Sequence, residues 1–277
     1  MISIIILSYR DNLLGALLNN IRNTIGNCSY ETIVFDNSSA KYALCSAYNE
    51  GIKKAQGTYF CFVHEDVIFK SENWGNEFIQ SFQQNSRLGL LGILGSKFKS
   101  AYPTGWYNPV NNCNYHTGNI FQGNNNNFDA HFKDFSIGAC TLDYVVCLDG
   151  VLLFTKREIV DTINFDEELL KGYHGYDIDF SLQVHFAGYQ IAVLKSVQLF
   201  HFSPGNTDEK WKDAIKVLSM KWRDKLPTYT TNNQLLKTFR EFETIYIHEK
   251  GNRYYRAMRS LITVLGLYIN KLDFKKP

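Results

Sequence analysis

The amino-acid sequence predicts an α/β protein built on a doubly wound, mostly parallel sheet, with a loop-rich insertion and a helical C-terminal extension. Three observations carry this. Residues 2–8, ISIIILS, form a near-continuous β-branched run, the pattern of a strand covered on both faces, as in a parallel sheet. Strand-like and helix-like stretches then alternate at the spacing of βαβ units. Charge changes at Thr207: residues 207–277 carry 15 Lys and Arg against 8 Asp and Glu, whereas residues 1–206 carry 14 against 19. An acidic body with a basic tail points to two regions with different jobs.

The elements follow in order. Residues 11–25 repeat apolar positions at helical spacing (Leu14, Leu17, Leu18, Ile21, Ile25), and Gly26 stops them. A second strand, ETIVF, runs into DNSS. Residues 40–56 read as a helix that Gly57 breaks, and TYFCFV is a third strand ending at His64-Glu65-Asp66. The stretch from about residue 98 to 147 is rich in Asn, Gly and aromatics, so it predicts long loops with or without short strands, and its aromatic content argues against disorder. Aromatic rings beside Asn side chains suit a sugar-binding surface. Regular structure resumes with YVVCLDGVLLFTKREIV, which reads strand, turn, strand, helix start. After Pro204 the chain is mostly helical, with Trp211, Ile215, Leu218 and Trp222 along one face. The expected division is one domain over 1–206 and a basic helical extension over 207–277.

Composition narrows the class. With 45% hydrophobic and 15% aromatic residues in 277, the chain can bury a large core. No apolar stretch reaches the ~18 residues that span a bilayer, and MISIIILSYRDN lacks the features of a signal peptide. The six cysteines show no CxxC spacing and several sit in apolar runs, which reads as reduced thiols in a cytoplasmic protein and argues against a zinc site. No nucleic-acid partner is expected.

The chemistry lies at the strand ends. In an open parallel sheet, ligands bind beyond the carboxyl ends of the strands. Four polar clusters fall at such ends: Ser8-Tyr9, Asp36-Asn37-Ser38, Glu65-Asp66 and Asp149-Gly150. A single Asp or Asn there is ordinary turn chemistry; four converging on one edge point to a site. Neither a GxGxxG after the first strand nor a GxxxxGK[ST] is present. A carboxylate-rich edge without a glycine phosphate loop handles phosphate through a divalent cation held by the acids and bridging to a diphosphate.

The ordered series IIILSYRDN, IVFDNSS, AYNEGIKKAQGTYFCFVHEDV, LDGVLLFTKREI, FDEELLKGYHGYDIDFSLQVHFAGYQIAVL and VQLFHFS resembles a family 2 glycosyltransferase of the GT-A fold, a Rossmann-like sheet, over most of residues 2–203. The resemblance implies transfer of a sugar from a nucleoside-diphosphate donor, UDP by expectation, with Mn²⁺ or Mg²⁺ on a DxD motif. His64-Glu65-Asp66 occupies the DxD position with His64 in place of the first acid, so Asp66 becomes the expected metal ligand and Glu65 a ribose or supporting contact. Asp36 matches the acid at the uracil or ribose end, although an Asx turn explains it too. Ser8 and Tyr9 would line the base pocket, Asn49 would bond to the donor or cap structure, and Asp149-Gly150 would complete the donor side. Arg10 fits a phosphate contact or a solvated charge.

In GYDIDF, Tyr176 stands where the family carries Glu, and Asp177 carries over as the general base of an inverting transfer. Helix capping is the alternative for Asp177 and the favoured reading of Asp179. His201 in LFHFS fits a place near the metal and diphosphate, or a satisfied core histidine. The acceptor implied is a glycan or a lipid-linked sugar in bacterial surface polysaccharide synthesis, with the loop-rich insertion on the acceptor side. Two alternatives remain: a same-fold nucleotidylyltransferase, and a non-catalytic homologue that binds nucleotide sugars or carbohydrate. The tail segment RYYRAMRSLITVLGLYINKL suits peripheral contact with the inner face of a membrane, or packing against the domain or a second subunit.

Overall fold

The computed structural model describes residues 1–107, 116–124, 127–134, 141–203, 205 and 207–230. The chain opens with β1 (Ile2–Ser8), α1 (Asp11–Thr24), β2 (Tyr30–Asp36), α2 (Leu44–Lys54), β3 (Tyr59–Val63) and β4 (Val67–Phe69). It continues with α3 (Trp74–Gln84), β5 (Leu88–Gly92), β6 (Leu94–Ser96), β7 (Phe98–Lys99), β8 (His116–Asn124) and β9 (Asn127–Asp134). Then come β10 (Leu142–Val145), β11 (Cys147–Leu148), β12 (Leu152–Lys156), α4 (Arg157–Val160), α5 (Tyr176–Phe186), β13 (Gln190–Leu194), β14 (Leu199–His201), α6 (Glu209–Lys221) and β15 (Thr228–Tyr229).

Seven strands form the central sheet in the order β10-β13-β5-β12-β3-β1-β2. β1 pairs in parallel with β2 and β3, and β5 with β13, while β12 and β10 run antiparallel to their neighbours. The alternation of β1 explains its composition. Ile4 and Ile6 pack on one face with Leu17 and Ile21 of α1 and Trp74 and Phe78 of α3; Ile5 and Leu7 pack on the other with Tyr48 of α2 and Phe180 of α5. Both faces are dry, as a β-branched run demands.

Parallel β1, β2 and β3 bring Ser8-Tyr9, Asp36 and His64-Glu65-Asp66 to one edge. Asp149-Gly150 reaches the same edge by a different route. β12 is antiparallel to β3 with Leu152 opposite Val63, so the turn before its first residue, not the end of a parallel strand, lies there.

A second sheet, β11-β6-β8-β14-β4 with β9 on β8, stands beside this edge. The stretch expected as loops with short strands therefore supplies β8 and β9 to this sheet, besides β7 and β10 elsewhere. HTGNIFQGN has few β-formers, and its pairing is imposed by β6 and β14 on opposite halves of β8. The second helix begins at Leu44 rather than residue 40, because Asn37 holds the preceding turn: its Oδ1 accepts from Tyr42 N at 2.7 Å and its Nδ2 donates to Tyr42 O at 3.0 Å.

Beyond residue 206, α6 is capped by Asp208, whose Oδ1 accepts from Trp211 N at 2.9 Å. Ile215, Leu218 and Trp222 pack on Ile178 and Leu182 of α5, as the helical spacing expects. Residues 231–277, where the basic tail helix and its membrane or subunit contact are expected, lie outside the described residues. Among the described residues no helix is long and apolar enough to cross a membrane. Cys28, Cys45, Cys61 and Cys147 are free thiols; Cys113 and Cys140 lie outside the described residues.

Candidate active site

A cleft of about 1090 Å³ opens where the carboxyl edge of the central sheet meets the second sheet and α6. Tyr9, Arg10, His64, Asp66, Asp149 and Asp177 all face it.

Glu65 is the anchor of the turn between β1 and α1. Its Oε2 accepts from Ser8 Oγ at 2.6 Å, Tyr9 N at 2.9 Å and Arg10 N at 3.0 Å, and its Oε1 accepts from Arg10 Nε at 3.1 Å. A buried carboxylate is tolerated because these donors replace its water. Ser8 thus reaches Glu65 rather than the cleft, while Tyr9, 41% exposed, stands at the cleft wall and packs edge-to-face on Tyr173 at 5.6 Å.

Asp66 points the other way. Its Oδ1 lies 3.4 Å from His201 Nε2 and 4.0 Å from His64 Nδ1, and its Oδ2 lies 3.6 Å from Arg10 Nη2. Burial works to raise its pKa, but His201, His64 and Arg10 outweigh it and hold the carboxyl at about 2. Asp66 is a carboxylate at any physiological pH. The topology makes this cluster: β14 pairs with β4, placing His201 opposite Val67, and Phe202 N donates to Asp66 O at 2.9 Å.

The potential ligand atoms of His64, Asp66 and His201 lie within 4.8 Å of one another, close enough for one cation to gather them. The fit of a cation has an independent sign. His201 Nε2 is buried and makes no well-aligned hydrogen bond, its nearest acceptor being Asp66 Oδ1 at 3.4 Å, and a buried nitrogen so poorly satisfied is costly unless something else binds it. The residues present therefore fit a divalent metal. Sequence reasoning named Asp66 and His201 but treated His64 only as a lost acid. The signal it passed over is that imidazole is itself a common metal ligand.

Asp177 sits in the first turn of α5, entered through Gly175 at φ +81°. That left-handed value suits glycine. Its Oδ2 accepts from Gly150 N at 3.1 Å. Asp177 keeps some surface toward the cleft but is enclosed by protein elsewhere. Burial first, and the neighbouring Asp149 charge second, push its pKa up to about 7, against the hydrogen bonds from Ile178 and Gly150. Asp149 is held by Val151 N at 2.8 Å on Oδ1 and by Trp106 Nε1 at 2.5 Å on Oδ2. A carboxyl poised near neutrality in a cleft is what a general base requires.

Asp36 and Asn49 lie apart from this cluster. Asp36 is exposed at the end of β2, and its Oδ1 accepts from Ser38 N at 2.9 Å, an Asx turn. Buried Asn49 is spent on Phe165, donating to its O at 2.8 Å and accepting from its N at 3.0 Å. Asp179 is structural, though not as the helix cap expected: no side chain caps α5, and Trp222 Nε1 and Lys221 Nζ bind the Asp179 oxygens at 2.8 and 2.9 Å. Trp106, from the Asn- and Gly-rich stretch, is a cleft residue that no sequence signal marked individually.

Residues 5–221 match a family model described as a glycosyltransferase-like family. No curated protein matches the chain in sequence. Among solved structures, the chain is similar to GalNAc-T7, determined with UDP, GalNAc and Mn²⁺, with TM-score 0.53 and 12% identity over 88% of this chain. The match spans 55% of the GalNAc-T7 chain, and at this identity the likeness speaks to the fold. It is also similar to residues 1–349 of S. aureus TarS in complex with UDP, with TM-score 0.49 and 14% identity over 91% of this chain and 73% of that one.

Proposed function

The chain belongs to the glycosyltransferase-like family and is a glycosyltransferase of the GT-A fold, and from that premise we propose that it transfers a sugar from a UDP-sugar to a hydroxyl of a glycan or lipid-linked acceptor, with inversion. The observation that carries this reading is the pairing, in one cleft, of the His64, Asp66 and His201 cluster with a carboxyl held near neutrality, Asp177.

His64, Asp66 and His201 would hold Mn²⁺ or Mg²⁺, which when bound neutralises charge on the diphosphate. Arg10, beside Asp66 and half-exposed, presents a second positive charge to the same place. Tyr9 and Tyr173 offer aromatic surface to the base, and Asp36 stands one β-pair from Ser8 for the ribose end. Asp177 takes the acceptor proton as the acceptor oxygen bonds to the anomeric carbon. The bond from that carbon to the phosphate oxygen breaks, and the nucleoside diphosphate leaves with its electron pair. Trp106, fixed through Asp149, contributes an aromatic ring to the acceptor side.

The test is a panel of nucleotide sugars screened for thermal stabilisation with Mn²⁺, followed by hydrolysis and transfer assays on Asp177→Asn. The variant should keep UDP affinity and lose about 10²–10⁴-fold in turnover. Full turnover by the variant would remove Asp177 from the role. Asp36→Ala should weaken UDP equally with and without metal; unchanged affinity would leave Asp36 a turn residue only. Donor binding with neither hydrolysis nor transfer to any acceptor would favour a binding protein.

A further inference from the structure

We propose that Tyr176 is a positioning residue that fixes the ring tautomer of His64, making His64 a nitrogen ligand and the cluster a two-imidazole, one-carboxylate centre that prefers Mn²⁺ or Co²⁺ to Mg²⁺. The inference rests on reading His64, Asp66 and His201 as a cation site.

The protons decide it. Buried Tyr176 donates its hydroxyl proton to Gly150 O at 3.0 Å. The carbonyl cannot donate, and the hydroxyl has one proton. His64 Nε2, 2.8 Å from the same oxygen, must therefore be the donor there. The neutral ring then keeps its lone pair on Nδ1, the atom that faces Asp66 Oδ1 at 4.0 Å. A metal-bound histidine whose other nitrogen donates to a fixed acceptor is the arrangement that orients such ligands.

Gly150 is part of the device. A Cβ there would fall 2.0 Å from Tyr176 Oη and 2.5 Å from Cζ, so only glycine leaves the ring its seat. The two departures noted in the sequence, His64 for an acid and Tyr176 for Glu, are thus one compensated unit. An aspartate at 64 would compete with Gly150 O for the single hydroxyl proton. The selectivity follows from the ligand set: Mg²⁺ favours oxygen ligands and retains water, whereas imidazole suits first-row transition metals.

The test is calorimetric titration of the full-length apo protein with Mn²⁺, Co²⁺ and Mg²⁺ alone, supported by the visible absorption of the Co²⁺ form. Wild type should bind Mn²⁺ at least about tenfold more tightly than Mg²⁺, and Co²⁺ more tightly again. Tyr176→Phe, checked for folding by circular dichroism, should lose about 10–100-fold in Mn²⁺ affinity and shift the Co²⁺ spectrum. His64→Asp should bring Mn²⁺ and Mg²⁺ together, and in that background Tyr176→Phe should cost nothing further. Equal Mn²⁺ and Mg²⁺ affinity in wild type, a neutral Tyr176→Phe, or the same loss in both backgrounds would overturn the proposal. Failure of every cation to bind would overturn it along with the cation site, while UDP affinity, measured separately, would still report on the donor reading.

Discussion

Asp177 stores the conflict between stability and function at the scale of one residue. Its folded pKa of about 7 lies above the ~3.9 of an unfolded Asp, so between those values the folded state holds the proton more tightly. The contribution of Asp177 to stability is present below about pH 4 and is lost as pH rises through about 7. Asp177→Asn should therefore raise stability at pH 8 by on the order of 1–4 kcal/mol, seen as a higher Tm, and change little at pH 4. Melts of both proteins across that range would show it; a pH-independent difference would contradict the raised pKa. In wild type, kcat should climb with pH toward a plateau above about 7, because only the ionised carboxyl takes the proton. Glu65 shows the opposite economy of roles, since its bonds to Ser8, Tyr9 and Arg10 hold a turn. Glu65→Ala should cost about 2–4 kcal/mol in denaturant unfolding, leaving buried donors unmet.

At the scale of elements, the docking of α6 decides the shape of the cleft. Trp211, Lys212 and Ile215 reach its lining because the helix packs on α5 and is pinned there by Trp222 and Lys221 on buried Asp179. Trp222→Phe keeps an aromatic ring and removes the Nε1 donor, leaving Asp179 Oδ1 to Lys221 alone. We expect a loss of about 1–3 kcal/mol in Tm-derived stability. Hydrogen exchange in α6 should accelerate more than in β1, because the helix loses its own tether while the sheet keeps its packing. Uniform acceleration would mean that α6 and the sheet open as one unit.

For the whole molecule, the site is a junction between two sheets, and ligands that bridge it should stabilise the fold. A ligand at ~100 times its Kd adds about 2.7 kcal/mol. UDP with Mn²⁺ together should shift Tm by more than the sum of each alone, and a chelator should return the melt to that of UDP alone. Asp66→Ala should melt as a folded protein and show no Mn²⁺ increment, since it deletes the carboxylate between His64 and His201. An increment equal to that of wild type would move the metal elsewhere.

What the sequence determined by itself is what short-range periodicity and strand-end chemistry encode. The buried run 2–8 fell on β1, the helical spacing of 11–25 on α1, and the edge clusters Ser8-Tyr9 and Glu65-Asp66 on the carboxyl ends of parallel strands. The same patterns supported the doubly wound sheet, whereas the choice of Asp177 came from the resemblance to family 2 glycosyltransferases. The tertiary structure alone decided the rest. Strands β8 and β9 come from residues with weak intrinsic preference and exist by pairing. β12 runs antiparallel, which puts Asp149-Gly150 at the edge by its start rather than its end. His201 stands 135 positions from Asp66 and meets it only because β14 hydrogen-bonds to β4. The tautomer of His64 depends on a hydroxyl proton 112 residues away. Such contacts are set by long-range backbone pairing and by the donor and acceptor count of buried groups, and neither leaves a periodic trace in sequence.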